Sequence, residues 1–314
     1  MTNVHESLRP VTASVLPIAV GCDAKCPFCF SGASISAEMR QRGLSEPEII
    51  GFLDYAKERG AERAVVTGGG EPLVYALPKL SWLIRSMAER YPRVVMITNG
   101  ARLADSDEEK ARERWRALAQ SGLTILSVSR PHWDDRQCAI SLGGLFYSSR
   151  RFTAIMKTVP ECGHLTLRAI CLIQKGLVDD ASDIRQYIAW AEDLSILQLT
   201  FKELYVADPR GIYYSASQNL WSEQHRVSID LVLDFFTKSG AEKIGELTWG
   251  CPIFRYVTER GTVMQIAAYW EPTQGWEQKH GMCRSYNLLT DGKCYVSLED
   301  KHSAIPYPLA EEAQ

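Results

Sequence analysis

Residues 21–30 read GCDAKCPFCF and place Cys22, Cys26 and Cys29 in a C-x3-C-x2-C spacing. Thiolates hold iron–sulfur clusters, and a short loop with three thiolates binds three irons of a four-iron cluster. The fourth iron then stays open to a group that the protein does not supply. Open metal positions are typical of reactive sites. The spacing therefore predicts a [4Fe-4S] cluster with one free coordination position.

Two other chemistries also use closely spaced cysteines. A structural zinc site closes with four Cys or His ligands, but the histidines nearest to the loop in sequence are His5 and His132. A disulfide or redox pair needs two thiols and leaves the third without a role. Both alternatives stay open from the residues alone, and both fit the spacing less well than an iron–sulfur cluster.

Two further segments follow the cysteines at regular intervals. Residues 65–73 read VVTGGGEPL, and residues 97–100 read ITNG. Glycines after a strand usually mark only a turn. The first segment is informative because it comes one predicted helix after the cysteine loop, which is the kind of structural context that makes a short motif specific.

Together, these segments resemble the radical S-adenosylmethionine (radical SAM) superfamily, and the resemblance runs from about residue 15 to about residue 203. It implies a [4Fe-4S] cluster held by Cys22, Cys26 and Cys29, with S-adenosylmethionine as the second cofactor. It also implies that reductive cleavage of this cofactor gives a 5′-deoxyadenosyl radical, which abstracts hydrogen from a substrate.

The resemblance and the strand pattern together give eight candidate cofactor-binding residues: Phe28, Gly69, Gly70, Glu71, Asn99, Ser127, Ser129 and Arg168. The glycines permit close backbone approach to the methionine end of the cofactor. Phe28 offers an apolar surface to adenine or packs under the loop. The serines bind ribose or carboxylate, or are simply satisfied in the core. Arg168 pairs with the cofactor carboxylate or with another barrel residue, because a buried cation needs a partner.

Apolar strand-like runs alternate with amphipathic helices, which predicts βαβ units and a parallel sheet. A capping box at Ser45 and Glu48 marks the first helix. Six such units are predicted, and the superfamily implies an α/β fold with a partial (β/α)6 TIM-type barrel whose chemistry lies at the carboxyl ends of the strands. The predicted strands are residues 15–20, 63–67, 94–98, 123–129, 166–173 and 196–203.

The pattern changes after residue 204, so we expect a radical SAM barrel over 1–204 and a small α+β extension over 205–314 that caps the active site. Residues 283–293, CRSYNLLTDGK, resemble the hairpin that helps to bind an auxiliary cluster in the molybdopterin-precursor cyclase group. Ser297 stands where that group has a further cysteine. Three cysteines of the extension are candidate ligands of a second [4Fe-4S] cluster: Cys251, Cys283 and Cys294.

Other residues have open roles at this stage. Cys251 is also a candidate catalytic thiol that donates hydrogen to a substrate radical, and ordinary packing is the alternative for each of these cysteines. Lys202 and Glu203 end a strand, either near the substrate or as a surface pair. Seven aromatic residues are candidates for a substrate pocket or for core packing: Tyr205, Tyr213, Tyr214, Trp221, Trp249, Trp270 and Trp276.

Composition limits the partners. The 314 residues carry a formal net charge of -3, so no basic field favours nucleic acid. No apolar run is long enough to cross a bilayer, and no secretory signal opens the chain. Nine cysteines with three in a ligand-type group suit a reducing compartment. We expect a cytoplasmic protein that does not bind membranes or nucleic acid.

The resemblance implies a radical SAM enzyme with a small biosynthetic substrate, such as a sugar, aminoglycoside, nucleoside or amino-acid derivative. Its reaction is epimerisation, oxidation or carbon–carbon bond formation, and a flavodoxin or ferredoxin is the expected electron donor. We expect no cobalamin-binding or leader-binding domain. A peptide-modifying radical SAM enzyme is one alternative, and a non-catalytic iron–sulfur protein for electron transfer or redox sensing is another.

Overall fold

The structure is a computed structural model, and it describes residues 4–207 and 216–311. Helices and strands alternate through most of it. The strands are β1 (Arg9–Val15), β2 (Arg63–Val66), β3 (Val94–Thr98), β4 (Ile125–Ser129), β5 (Thr166–Ile173), β6 (Gln198–Glu203), β7 (Glu242–Glu246), β8 (Pro252–Val257), β9 (Val263–Tyr269), β10 (Met282–Leu288), β11 (Cys294–Tyr295) and β12 (Ala304–Ile305). The helices are α1 (Glu46–Glu58), α2 (Leu77–Ala88), α3 (Glu108–Gln120), α4 (Asp135–Ser141), α5 (Ser149–Lys157), α6 (Ala181–Asp193), α7 (Ala216–His225), α8 (Asp230–Lys238) and α9 (Gln274–His280).

The strands form one open sheet in the order β12-β11-β10-β1-β2-β3-β4-β5-β6-β9-β8-β7. Neighbouring strands from β10 to β9 are all parallel. The α/β class and the partial barrel are therefore confirmed. The extension adds a parallel strand to each side of the six predicted strands, because β10 pairs with β1 and β9 pairs with β6. The division at residue 204 remains a prediction, and the sheet runs across it.

The first helix begins where the capping box predicts. The Glu48 amide donates to the Ser45 hydroxyl at 3.4 Å, and the Ser45 amide donates to the Glu48 carboxylate at 2.8 Å. A hydrogen bond from Arg42 lowers the pKa of Glu48 to about 2. Behind this cap, α1 turns Phe52 and Leu53 fully into the core. Burial of side chains of this size contributes about 1.5–3 kcal/mol each.

The first strand is the one clear error in the predicted elements. It spans Arg9–Val15 and not residues 15–20. Pro17 has no N–H to donate to a neighbouring strand, and the chain after Leu16 leaves the sheet and enters the cysteine loop. The predicted bounds of β3 and β5 are those observed.

Apolar side chains fill the space between the sheet and its helices. One cluster joins α1, α2 and α3 to the strands around β2, and it includes the fully buried Trp115. A second cluster joins α6 and α8 to β5, β6 and β9. In the two described ranges, no helix has the length and apolarity that crossing a membrane requires. The helices thus hold the sheet from outside, and the carboxyl ends of the strands are left for the site.

Candidate active site

The cysteine loop, residues 21–30, lies between β1 and α1 at the carboxyl end of the sheet. Its three cysteines are free, with Cys22 exposed and the other two half-buried. The Lys25 amide donates to the Leu142 carbonyl at 3.0 Å, which anchors the middle of the loop. Burial, and then the negative charges of its two neighbours, raises the pKa of the Cys26 thiol to about 12. This thiol therefore ionises near neutral pH only with a bound cation, as a metal cluster provides.

The glycine segment packs directly against this loop. The amides of Gly69 and Gly70 both donate to the Ile18 carbonyl at 3.0 Å. A Cβ at Gly69 would lie 2.3 Å from the Ala19 carbonyl oxygen, and one at Gly70 would lie 2.2 Å from that of Gly21. Only glycine fits both positions. Among the described residues, none donates a hydrogen bond to the carbonyl oxygens of Gly69 and Gly70, which leaves them available to a ligand.

The Glu71 side chain is hydrogen-bonded to other groups of the protein. It is 3% exposed and accepts hydrogen bonds from the Leu73 amide at 3.0 Å, the Asn99 amide at 2.8 Å and the Thr98 hydroxyl. Burial raises the pKa of this carboxyl above its usual range. Its side chain thus joins the end of β2 to the end of β3. The Glu71 amide donates to the Gly21 carbonyl and the Val74 amide donates to the Glu71 carbonyl, both at 3.0 Å, so a cofactor contact of Glu71 remains a prediction.

Asn99 connects the end of β3 to the cysteine loop. Its side-chain amide donates to Asp23 at 2.6 Å and lies 3.8 Å from the Cys22 sulfur. Asp23 also forms an ion pair with Arg102 at 3.1 Å. Sequence reasoning found Asn99 but missed both charged residues. The position of Asp23 between two of the cysteines was the only signal available for it.

The two serines of β4 lie on one face of the strand. Ser127 is 1% exposed, and its hydroxyl has no hydrogen-bond partner among the described residues. Ser129 is half-buried at the carboxyl end of the strand. An unpaired buried hydroxyl is costly. The Ser127 hydroxyl, the glycine segment and the cysteine loop together fit a polar cofactor bound inside the barrel.

Arg168 lies away from this group. Its guanidinium donates to Gln198 at 3.2 Å. Burial, and then the neighbouring charges of Arg63 and Arg93, lowers the pKa of Arg168 to about 10. Arg63 begins β2 and Arg93 precedes β3, so these neighbours lie towards the amino ends of the strands. The geometry does not bring Arg168 to the cysteine loop, and its pairing with a cofactor carboxylate remains a prediction.

Aromatic residues cover the other side of the loop. The Phe28 ring lies 5.9 Å from that of Trp221 on α7, and the Phe30 ring meets that of Tyr205 edge to face at 5.1 Å. Phe28 therefore packs under α7, and an adenine contact remains a prediction. Trp249 donates to the Trp270 carbonyl at 2.9 Å. Trp276 stacks on His280 of α9, and Tyr213 and Tyr214 lie outside the described residues.

The three cysteines of the extension are all buried. The Trp270 amide donates to the Cys251 sulfur at 3.3 Å, and burial raises the pKa of this thiol to about 12. Cys283 and Cys294 belong to the apolar cluster around α1, and burial raises the pKa of both. They lie on the hairpin of β10 and β11, as predicted. Their role as ligands of a second cluster remains a prediction.

A small cavity of about 40 Å³ lies in the seam between β9 and β10, beside the cysteine loop. We call it the seam cavity and define it by Phe30 and Tyr205 on the loop side and by Glu271, Arg284 and Glu299 on the seam side. Phe30 follows Cys29 directly. A ligand in this cavity would therefore lie next to the cysteine loop.

Charged side chains bridge the seam. Lys202 and Arg284 both pair with the Glu271 carboxylate, the first at 2.5 Å, and Tyr269 donates to it at 2.8 Å. Burial raises the pKa of Glu271, but the two cations outweigh this effect and lower it to about 2. Arg284 of β10 therefore pairs across the seam, and Lys202 pairs from β6, the strand next to β9. Glu203 instead pairs with Arg226 at 3.0 Å. Sequence reasoning missed Glu271 and Arg284, since nothing local links them.

These features define an α/β partial barrel with a three-cysteine loop at the carboxyl ends of its strands. Residues 16–165 match the Radical SAM superfamily. The chain thus carries a radical SAM domain over these residues.

Relatives agree with this class. The GTP 3′,8-cyclase of Actinobacillus succinogenes is 24% identical over 195 residues, which are 60% of this chain and 52% of that protein. The GTP 3′,8-cyclase of Listeria welshimeri is 24% identical over 196 residues, 62% of this chain and 52% of that protein. The chain therefore spans about half the length of the curated relatives it matches.

Two solved structures show the same fold. Streptococcus suis SuiB bound to precursor peptide SuiA has a TM-score of 0.55 at 15% identity, covering 94% of this chain and 61% of that one. Native anSMEcpe with bound AdoMet has a TM-score of 0.52 at 15% identity, covering 92% of this chain and 74% of that one.

Proposed function

We propose that Cys22, Cys26 and Cys29 hold a [4Fe-4S] cluster, that S-adenosylmethionine binds beside it, and that the enzyme acts on a small biosynthetic molecule. The cluster and the cofactor supply one-electron cleavage of a carbon–sulfur bond and hydrogen abstraction from the substrate. The observation that carries this proposal is the packing of the glycine segment against the cysteine loop, where the amides of Gly69 and Gly70 both donate to the Ile18 carbonyl.

Residues of the chain position the cofactor in this proposal. The free carbonyl oxygens of Gly69 and Gly70 accept hydrogen bonds from its amino group. The unpaired hydroxyl of Ser127 donates to one of its oxygens. Asn99 holds the Cys22 side of the loop through Asp23. These contacts use preformed backbone and buried side chains, which reduces the ordering cost of binding.

The lining of the cavity favours a small polar substrate, because polar and charged side chains form most of its wall. Its volume of about 40 Å³ is below that of a typical preformed ligand site, so a sugar, aminoglycoside, nucleoside or amino-acid derivative would have to widen it on binding. The curated relatives are GTP 3′,8-cyclases, and GTP carries a triphosphate with several negative charges. Arg284 is the cation that lines this cavity, and it already pairs with Glu271. A triphosphate would thus meet no free cation among the described cavity residues.

The outcome of the reaction depends on the extension, residues 205–314, which we propose covers the active site. A thiol at Cys251 that donates hydrogen to a substrate radical would give an epimerase. A second cluster on Cys251, Cys283 and Cys294 would favour oxidation or bond formation. Deuterium uptake from solvent into product supports the first outcome. A flavodoxin or ferredoxin is the proposed electron donor, and the exposed Cys22 lies on the side where it would dock.

The test is cleavage of S-adenosylmethionine by anaerobically reconstituted protein with dithionite. We expect 5′-deoxyadenosine and methionine from the wild-type enzyme. The triple variant with Cys22, Cys26 and Cys29 changed to alanine should give neither. Cys162→Ala is the matched control, because this cysteine is buried in the core and lies outside the loop. Bound iron without any cleavage would instead indicate a non-catalytic electron carrier or redox sensor.

The peptide-modifying alternative makes a different prediction. A peptide substrate needs an open groove that admits an extended chain, whereas the seam cavity has a volume of about 40 Å³. Incubation with a panel of short peptides and mass spectrometry of the products would test it. A modified peptide would replace the small-molecule proposal.

A further inference from the structure

The seam cavity has an unequal set of charges. Glu271 is matched by Lys202 and Arg284, and the Arg284 amide donates to Glu277 at 2.7 Å. These four side chains, two cations and two carboxylates, balance one another. Glu299 adds a further carboxylate to the cavity wall, so the cavity carries one surplus negative charge when this group is ionised.

Glu299 is buried without a matching cation. Its residue is 5% exposed, and its side chain lines the cavity. One carboxylate oxygen accepts a long hydrogen bond of 3.5 Å from Gln274. The other has no hydrogen-bond partner among residues 4–207 and 216–311, and no cation of those ranges forms an ion pair with Glu299. A buried carboxylate that lacks a charge partner is costly, and a ligand with a positive charge would remove that cost.

We propose that Glu299 binds a protonated amine of the substrate, so that the enzyme selects an amine-bearing small molecule. This inference rests on the proposed function and specifies its substrate class. Asn287, Ser285 and Ser297 line the same cavity and offer neutral polar contacts for hydroxyl groups. A polar wall with one unmatched carboxylate suits an amino sugar, an aminocyclitol or another amino-alcohol skeleton.

Burial of the Glu299 carboxyl raises its pKa to about 7, which is consistent with this role. A bound ammonium group would favour the ionised form.

The experiment compares matched ligands by calorimetry on anaerobically reconstituted enzyme with S-adenosylmethionine. The probe pairs are D-glucosamine with D-glucose, cyclohexylamine with cyclohexanol, and 3-amino-1-propanol with 1,3-propanediol. Each pair differs by an amine in place of a hydroxyl. We expect at least one amine to bind about tenfold more tightly than its alcohol, since a buried charge-assisted hydrogen bond supplies at least that factor.

The variant Glu299→Gln keeps the shape of the side chain and should reduce this preference to about twofold or less. Glu246→Gln, on the exposed edge strand β7, is the control and should keep the full preference. Equal binding of amine and alcohol in every pair by the wild-type enzyme would overturn the inference. A preference that persists in Glu299→Gln would do the same.

Failure of the inference differs from failure of the proposed function. A wild-type enzyme that cleaves S-adenosylmethionine but shows no amine preference refutes the substrate class alone. A wild-type enzyme that binds iron and never cleaves the cofactor refutes the proposed function. The two readouts are independent because the ligand comparison measures equilibrium binding and the cleavage assay measures products.

Discussion

The cysteine loop and the seam cavity lie side by side, but the chain builds them in different ways. The loop takes its three sulfurs from eight consecutive positions, Cys22 to Cys29. The cavity takes its charged groups from β10, from the segment after β9 and from the turn that contains Glu299. Local sequence therefore encodes the cysteine loop, and long-range packing encodes the charged wall of the cavity.

The electrostatics of the two regions differ in the same way. Beside the loop, the buried carboxylate Glu71 is saturated by protein donors. In the cavity, the buried carboxylate Glu299 has one long hydrogen bond. A saturated group fixes the architecture, whereas an unsaturated one is left for a ligand. Substitutions that separate these two roles test the comparison.

The largest effect should come from Gly70→Ala, which breaks the contact between the glycine segment and the cysteine loop. The new Cβ would lie 2.2 Å from the Gly21 carbonyl oxygen, so the loop must move. We expect about a 100-fold loss of S-adenosylmethionine cleavage, because misplacement by about 1 Å has that effect. Gly43→Ala is the control, since its Cβ meets nothing within 4 Å. Unchanged cleavage in Gly70→Ala would show that the cofactor does not depend on this contact.

The next effect tests whether Glu299 is held at a cost to stability. Its pKa is raised to about 7 from an ordinary 4.5, which corresponds to about 3 kcal/mol of destabilisation once the group is ionised in both states. The cost is absent below about pH 4.5, grows between the two values and is complete above pH 7. Glu299→Gln should therefore raise the thermal midpoint at pH 8 and leave it nearly unchanged at pH 5.

The Glu299→Gln substitution leaves the neighbouring charges unchanged. Glu271, Glu277 and Arg284 line the same cavity and are present in both the wild-type protein and the variant. On the adjacent turn, Asp300 pairs with His5 at 3.1 Å and is also retained. A lower midpoint for Glu299→Gln at pH 8 would show that the carboxylate is satisfied in the free enzyme, and the contrast with Glu71 would be lost.

A smaller loss is expected for Glu71→Gln. An amide keeps one oxygen acceptor but points an NH2 group at the amide of Leu73 or Asn99, which leaves a buried donor unpaired. We expect a loss of about 1–3 kcal/mol in the free energy of unfolding, measured as a lower thermal midpoint. Glu89→Gln is the control, because its side chain is 63% exposed. If both variants unfold alike, Glu71 is not the link between β2 and β3 that the structure indicates.

The same contrast explains what sequence reasoning reached. Hydrophobic periodicity and the capping box predicted α1, β3 and β5, because these signals lie within each element itself. The first strand was misplaced, since an apolar run at 15–20 resembles a strand although Pro17 and the neighbouring loop prevent pairing. The parallel strands β9 and β10 were missed as barrel strands, because only tertiary pairing shows that they flank the sheet.

Sequence reasoning found the site residues that lie in local motifs and missed those that only tertiary packing brings together. Motif spacing identified the cysteines, the glycines and Asn99, which lie together at the ends of β1, β2 and β3. It also proposed Arg168, whose strand position was correct but whose guanidinium lies beside Arg63 and Arg93. Strand phase places an arginine on one face of the sheet but does not fix which neighbour its guanidinium meets, so it does not fix its partner. The three glutamates that line the cavity had no local signal.

The smallest effect should come from Arg102→Ala, which removes the ion pair to Asp23 at 3.1 Å beside Cys22. Both side chains are partly exposed, and Asn99 still holds Asp23 at 2.6 Å, so we expect a cost of about 0–1 kcal/mol. Iron incorporation and cofactor cleavage should stay within about twofold of wild type. Arg116→Ala, which breaks a similarly exposed pair with Glu161 away from the loop, is the control. A tenfold loss of cleavage only in Arg102→Ala would mean that surface charge helps to fix the cysteine loop, and that its geometry depends on more than the local sequence.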